Sequence, residues 1–423
     1  MTIRASFVAM WFAMLFAGVS AAAVHRVPQD FSTITSALAA TAPGDTVMVA
    51  ARTYSPAANG ETFPLQMVKD GIRLLGAGMD ATVLDAQSTA TVIRHDAAVG
   101  GRVRGFKITR GNGSQGGGID IVNGNVEIDH NRIEHNGASV GGAAISARNA
   151  AAPWIHHNLI LDSFATSTTD VHALRLNRKV GGVFEHNLVA HSDGNGLLTV
   201  DSVTTSIRHN IFYQNGIPSP LRGRGICWIS DEPALIFHNL FFQNQVAAVF
   251  WPAGGGDFSA PAANGFDPSD HVYGNLESDP LFIDAAAGDY HLQPGSPAID
   301  AGDPSLPHDA DGTNADAGPF PYSPVLSTPT RAEIASISAA PNPHRSGTDV
   351  RFSLAGRGQV HVEVLDPSGR LVRVLADRFL ESGTHVLHWD GADDSGRVAS
   401  PGVYFVRLRA GAVERTLRVV SIR

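Results

Sequence analysis

Three charged side chains stand at one fixed interval from a recurring asparagine. Asp170, Asp193 and Arg222 each precede by 17 residues the last residue of a four-residue phrase, Asn187, Asn210 and Asn239, and Gly141 and Asn158 keep the same interval. Two residues on come His172, Asn195 and Arg224, and after them the apolar Ile145, Leu174, Leu197, Ile226 and Val249, which read as inward-facing in every copy. Stacked as coils, these positions predict one exposed patch of acids, imidazole, amide and guanidinium, with Arg175 at its edge. Carboxylates one coil apart would lie near the ~5–5.5 Å of a retaining glycosidase pair. Like charges that close push one pKa up, as acid catalysis requires. The candidate catalytic set is therefore Asp170, Asp193, His172, Arg222 and Arg224. A solvated polar face with an Asp–Arg stack is the alternative reading.

Asp309, Asp311 and Asp316 alternate with Ala310, Gly312, Thr313 and Asn314. Hard oxygen ligands at such spacing can wrap Ca²⁺, which makes them the candidate metal ligands and calcium the candidate cofactor. The late Glu of a complete EF-hand is missing, and an Asp/Gly turn explains the same residues. His130, His157, His186, His209 and His238 each precede the repeated Asn. A metal needs converging ligands, whereas a row of identical ones is what a structural repeat produces, so this row reads as structural. Gly111–Gly118 lacks the Lys-Ser/Thr of a phosphate loop and reads as a turn between coils. Trp228 and Trp251 fall inward on adjacent coils and should stack in the core. Cys227, between the inward Ile226 and Trp228, should face out.

What must position these residues is the phrase itself. It occurs as Ile128-Asp129-His130-Asn131, Ile155-His156-His157-Asn158, Phe184-Glu185-His186-Asn187, Ile207-Arg208-His209-Asn210 and Ile236-Phe237-His238-Asn239, with a weaker copy at Val272–Asn275. Successive asparagines are 27, 29, 23, 29 and 36 residues apart. Self-similarity at such a period marks a repeat architecture. The 17-residue part of each copy is constant, and the variation falls in one turn. Stacked strands with a single variable loop behave this way, and helical repeats do not. Apolar and polar residues alternate at period two, as in strands with one buried face. Asn tolerates left-handed backbone and is expected at the recurring turn itself. A small polar residue follows five positions later in each copy: Asn136, Ser163, Ser192, Asn215, Asn244.

The ends differ from the middle. Arg4, the apolar run Ala5–Gly18 and Ser20–Ala23 read as an export signal over residues 1–23. Ser32 is the expected N-cap of a short amphipathic helix carrying Ile34, Ala37 and Leu38, laid across the open end of the first coil. Ala253–Asp270 reads as an inserted loop, and residues 323–338, rich in Pro, Ser and Thr, as a linker. From residue 339 to 423 strands at short even spacing with hairpin turns indicate a small β-sandwich. A net charge of −9 excludes a basic nucleic-acid footprint, and no later segment is apolar enough to span a bilayer.

The stretch Val27–Tyr54, with the Ile-x-His-Asn copies, resembles secreted bacterial right-handed parallel β-helix proteins of the pectate-lyase-like superfamily. Asp279–Leu292 and Ser296–Gly302 resemble their closing coil. Pro341-Asn342-Pro343, Ser368-Gly369-Arg370, Trp389-Asp390-Gly391 and Gly402–Phe405 resemble Ig-like modules related to the flagellar hook-scaffold protein and to sorting domains of type IX secretion. The resemblance implies an all-β chain: a single-stranded right-handed parallel β-helix with an N-terminal capping helix over residues 24–322, then an Ig-like β-sandwich. Lyases of this fold hold Ca²⁺ between carboxylates and a uronate and remove a proton with Arg or Lys. Fold alone does not choose an activity. The Asn-Thr-Asp, Asp-Asp, Gly-His-Gly and Arg-Ile-Lys set of galacturonases is missing, as is a clear lyase Arg motif.

The expectation is a protein secreted or held at the outer cell surface, a monomer, whose partners are a polysaccharide or cell-surface glycan and, through the C-terminal module, secretion machinery. It would act as a polysaccharide lyase or glycosidase, or as a non-catalytic adhesin-like or glycan-binding protein.

Overall fold

Alternating apolar residues in short strands can bury one face only if strands stack, and here they stack coil upon coil. The computed structural model describes residues 22–166, 171–216, 223–229, 235–251, 255–264, 271–322, 334–354, 358–380, 383–393, 397–410 and 413–422. A representative coil runs Asn125–Asp129, Arg132–Glu134 and Gly141–Arg148 before returning at Trp154–His156. These strands belong to three sheets of ten, nine and nine strands, here called sheets one, two and three. Pairing is parallel throughout except for Gly256–Phe258 at the end of sheet three. Register is kept by matched apolar residues: Ile128, Ile155, Phe184, Ile207 and Ile236 stand opposite one another in sheet one. Ile133, Ile160, Val189, Phe212 and Phe241 do so in sheet two. Ile145, Leu174, Leu197, Ile226 and Val249 do so in sheet three, as their spacing predicts. All are buried in one continuous core, where Trp228 and Trp251 stack with ring centroids 5.0 Å apart.

The corner between sheets one and two departs from expectation. Histidine, not asparagine, takes the left-handed backbone: φ is +53° at His130, +53° at His157, +50° at His186, +54° at His209 and +52° at His238. Each following Asn is buried and extends the hydrogen-bond ladder across the coils. Asn158 shows the pattern. Its Nδ2 donates to Ile128 O (2.8 Å), His156 O (2.8 Å) and Asn187 Oδ1 (3.0 Å). Its own Oδ1 accepts from Asn131 N (3.0 Å) and Asn131 Nδ2 (3.1 Å). A side chain that satisfies this many buried backbone groups outweighs the modest preference of Asn for left-handed φ. A second column at the corner between sheets two and three joins Ser192 N and Asn215 Oδ1 (3.2 Å), then Asn215 Nδ2 and Asn244 Oδ1 (3.0 Å).

Both ends are capped. Helix Ile34–Ala40 turns Ile34, Ala37 and Leu38 into the core, but its N-cap is Thr33 rather than Ser32. The buried Glu61 carboxylate accepts from Ile34 N and Thr35 N (both 2.8 Å), and Lys69 Nζ donates to Ala39 O (3.0 Å) and Thr41 O (2.6 Å). Opposite charges thus sit at the helix ends that favour them. At the far end the stretch expected as an inserted loop contains helix Ala260–Asn264. Asn264 Oδ1 accepts from Asn275 N and Nδ2 (both 3.0 Å), ending the ladder.

Residues 279–321 do not form a closing coil. Phe282–Asp284 and Asp289–Leu292 pair antiparallel, and the chain then runs back along the coils as a strap. Phe282 meets Tyr213 at 5.3 Å between centroids, and Gly318 N donates to His209 O (2.8 Å). The outer residues of sheet two explain why. Leu159, Leu188, Ile211 and Leu240 are apolar, so the face needs a cover, and all four are buried although they lie outside the interior cluster.

The chain divides into two compact units, one ending at Pro321 and the other beginning at Tyr322. The second is a sandwich of Ile334–Ala340, Thr348–Leu354 and Gly383–Trp389 against Leu371–Leu380, Gly358–Leu365, Gly402–Ala410 and Val413–Ser421. Its first strand begins inside the stretch expected as linker. Buried Trp389 donates from Nε1 to Ala392 O (3.0 Å) and packs 5.0 Å from Tyr404. The expected export signal lies outside the described residues, apart from Ala22 and Ala23.

Removing one rung should therefore be costly. Asn187→Ala strands buried donors and acceptors on three coils, each worth ~1–3 kcal/mol, so urea unfolding should show a loss of roughly 3 kcal/mol or more. Gln214→Ala, at a half-buried corner position whose side chain bonds the Gln243 side chain (2.7 Å), should cost about 1 kcal/mol or less.

Candidate functional site

The predicted patch is only partly assembled. Asp170 and Arg222 lie outside the described residues. Asp193 is exposed, and its Oδ2 accepts from Ala165 N at 3.3 Å. His172 and Asn195 are not exposed, as expected, but buried. The reason is stitching between coils: Asn195 Oδ1 accepts from Gly223 N (3.1 Å) and Arg224 N (3.0 Å), and its Nδ2 lies 3.1 Å from His172 Nδ1. A register shift between Gly142 and Ile145 also moves Gly141 opposite Val171 rather than Asp170. Arg224 is committed elsewhere. Its guanidinium forms a two-pronged ion pair with Asp257 and lies 4.5 Å from the centroid of the Phe250 ring. Arg175 is half-buried. Cys227, expected to face out, is buried.

The Asp309 turn gathers backbone groups rather than ligands. Asp309 Oδ2 accepts from Asp316 N (2.9 Å), Asp311 Oδ1 from Thr313 N (3.0 Å), and Asp316 Oδ1 from Asp300 N (2.8 Å). Their carboxylates do not converge on a common point among the described residues.

The structure instead brings chemistry together on the outer face of sheet one, at the variable residue of each phrase. Asp129, His156, Glu185, Arg208 and Phe237 stand in consecutive register there. Asp129 receives Arg102 through Nε (2.6 Å) and a second nitrogen (2.7 Å), Arg104 (2.6 Å) and His130 Nδ1 (2.7 Å). Burial alone would raise its pKa, but these partners hold it well below the usual carboxylate range. Trp154 is 46% exposed, lies 4.1 Å from the His156 ring in a stacked arrangement, and donates from Nε1 to Glu185 Oε1 (2.7 Å). Arg208 Nε donates to the other oxygen of Glu185 (2.7 Å). Glu185 too is lowered: burial opposes ionisation, while Arg208 and Trp154 stabilise the anion. The signal for this strip was present in the sequence. The one position that changes in every Ile-x-His-Asn copy is the outward one.

Beside the strip runs the histidine column, with centroids 5.2, 5.0, 4.8 and 6.2 Å apart from His130 to His238. Burial, then neighbouring cations and rings, pushes His157 and His186 down to about 3 and His209 to about 4. These rings are neutral at pH 7. Glu185, His186 and His209 bring ligand atoms within 4.8 Å of one another, as do Glu127, Asp129 and His156. Neither trio is free for a metal. Asp129 is saturated by guanidinium groups. A metal on His209 Nδ1 would leave a proton on Nε2, which already accepts Asp303 N–H at 3.1 Å.

Residues 70–257 match the family model described as right handed beta helix region, and residues 345–412 match the FlgD Ig-like domain. The chain is a β-helix protein with a C-terminal Ig-like domain. Among curated proteins no match is found. A solved structure of PorZ, described as an essential bacterial surface component of the type-IX secretion system of Porphyromonas gingivalis, is similar over 27% of this chain at 23% identity. The match spans 14% of that chain with a TM-score of 0.17.

Within this β-helix the Asp129 cluster should be structural as well as chemical. Asp129→Ala leaves Arg102, Arg104 and His130 without their shared anion, and a thermal melt should show a loss of about 2 kcal/mol, the part-exposed guanidiniums tempering the cost of a broken buried pair. Asp193→Ala should leave the melt unchanged.

Proposed function

We propose that this is a cell-exterior protein that binds polysaccharide without cleaving it, and that the outer face of sheet one is the binding surface. One observation carries the reading: Trp154 presents a half-exposed ring on a flat parallel sheet, fixed by His156 beneath it and Glu185 beside it. A rigid aromatic face bordered by oriented polar groups matches what a pyranose offers, apolar C–H on one side and hydroxyls around the edge. The flanking charges are already paired (Arg102 and Arg104 with Asp129, Arg208 with Glu185), which favours hydroxyl-rich neutral sugars over a polyanion.

Catalysis is less well supported. A general acid needs a raised pKa, and Asp129 and Glu185 are both lowered. Asp193 keeps a place in the test as the exposed member of the predicted patch. Export through the N-terminal segment, with the Ig-like domain engaging secretion machinery, fits a chain that meets its glycan outside the cell.

Titration against a panel of neutral and uronate polysaccharides decides the matter. Trp154→Ala should weaken binding of the best ligand at least tenfold while the chain remains folded at the assay temperature, and Asp193→Ala should have no effect. Absence of binding to every polymer would sink the proposal. So would product release that disappears in Asp193→Ala.

A further inference from the structure

The strap that covers sheet two is held to the coils by a directed chain of hydrogen bonds through the histidine column. Asp303 N–H can only donate, so His209 Nε2 accepts it at 3.1 Å and carries no proton. The proton of neutral His209 is therefore on Nδ1, 3.2 Å from His186 Nε2, which must accept. His186 in turn keeps its proton on Nδ1 and donates it to Asp316 O at 2.9 Å. His238 Nδ1 adds a bond to Ala301 O at 2.7 Å. Three points of the strap, Ala301, Asp303 and Asp316, thus hang on rings projecting from consecutive coils. The arrangement works only while His186 and His209 are neutral. A proton added to His209 Nε2 turns an acceptor into a donor facing the Asp303 N–H. A proton added to His186 Nε2 does the same against His209 Nδ1–H.

We propose that the segment from Ser296 to Gly318 is a proton-operated latch, closed at neutral pH and released from the coils in acid by protonation of His209 and His186. The inference is independent of what sheet one binds. The charged and titratable groups around the pair come from every element packed on it. His209 faces Arg208 on its own strand, Glu185 and His186 on one neighbouring coil, His238 on the other, and Asp303 from the strap. His186 faces Glu185, His157 and His209, with the Asp316 backbone from the strap. Glu185 is the single carboxylate of the coils in this set, and its bonds to Arg208 and Trp154 leave it little capacity to stabilise an added imidazolium.

The sign follows from the direction of the shifts. Both rings have closed-state values below the ordinary 6.5, at about 3 and about 4. Closure is therefore undiminished above pH 6.5 and lost as pH falls below it, by about tenfold per pH unit for each ring that opening allows to protonate. Release uncovers Leu188, Ile211 and Leu240 on the outer face of sheet two, so an apolar surface appears only in acid.

Hydrogen exchange of the full chain between pH 7.5 and 4.5, corrected for the intrinsic rate, tests this. Peptides spanning 296–318 should lose protection at least tenfold between pH 6.5 and 5, while coil peptides such as 155–161 change less than threefold. His209→Gln, a residue that the chain already places at left-handed corners in Gln214 and Gln243, should cut the pH response of the strap to that of one ring, the double variant with His186→Gln should abolish it, and the control His130→Gln should keep it in full. A second readout needs no variant. Nitrogen chemical shifts of labelled histidine should place the His209 proton on Nδ1 at pH 7.5. Strap protection unchanged down to pH 4.5, loss of strap and coil protection together, or an Nε2-protonated His209 would each overturn the latch.

Discussion

Stacking coils in parallel leaves a difficulty at each corner, where the backbone leaves one sheet before it joins the next. The peptide groups there are buried and cannot reach water, and an unpaired one costs as much as a lost hydrogen bond. From Asn131 to Asn275 the buried Asn resolves this at each turn of the helix. Its carboxamide bonds its own coil at the residue two before it, a backbone carbonyl in the preceding coil and the amide of the following one. Only a side chain with both donor and acceptor at that length does all three. Once the ladder is in place the corner has one geometry, and the strands on either side inherit their register from it.

That constraint propagates outward. With Asn turned inward, the preceding residue must take left-handed φ and point away, so five histidines come to lie one above another. In the middle of the column the rings of His157, His186 and His209 are too buried to charge, which makes them a run of neutral donors and acceptors rather than a cationic ridge. The strap uses those donors and acceptors. The same backbone logic at the second corner places Arg110, His135, Asp162, His191, Gln214 and Gln243 in left-handed turns, but with mixed residue types no comparable column forms.

The repeat phrase made the architecture legible: its spacing located the stacked coils and the inward row of sheet three from Ile145 to Val249, though not the register shift that precedes Ile145. The parts that were misread have distinct physical origins. Thr33 displaces its neighbour Ser32 as N-cap through a local bond from Ser36 N to Thr33 Oγ1, whereas His against Asn at the left-handed corner is a contest between local preference and a tertiary hydrogen bond, and the tertiary bond prevailed. His172 and Asn195 looked like surface chemistry because polar residues near variable loops often are, yet Asn195 is bound to the backbone of the next coil. The strap was expected to be a closing coil because Asp279–Leu292 and Ser296–Gly302 resemble that of secreted β-helix proteins. Nothing local distinguishes a strand that stacks from one that folds back over a neighbour's apolar outer face.

A structural repeat also determines where novelty can be placed. In Ile-x-His-Asn the first residue is fixed by the core, the last by the ladder, and the third by the corner. The second lies on the outer face of sheet one and is constrained by none of them, although neighbouring side chains on that face bury Asp129, His156, Glu185 and Phe237. It is accordingly Asp, His, Glu, Arg and Phe in turn, five side chains with no common structural task, lined up one strand spacing (~4.8 Å) apart. A structural face would repeat one residue type, as the asparagines do. A row whose members differ yet are each held by named partners, Asp129 by Arg102 and Glu185 by Trp154 and Arg208, has the organisation expected of recognition. The variable slot in the repeat, rather than its conspicuous histidine, is where recognition is to be sought.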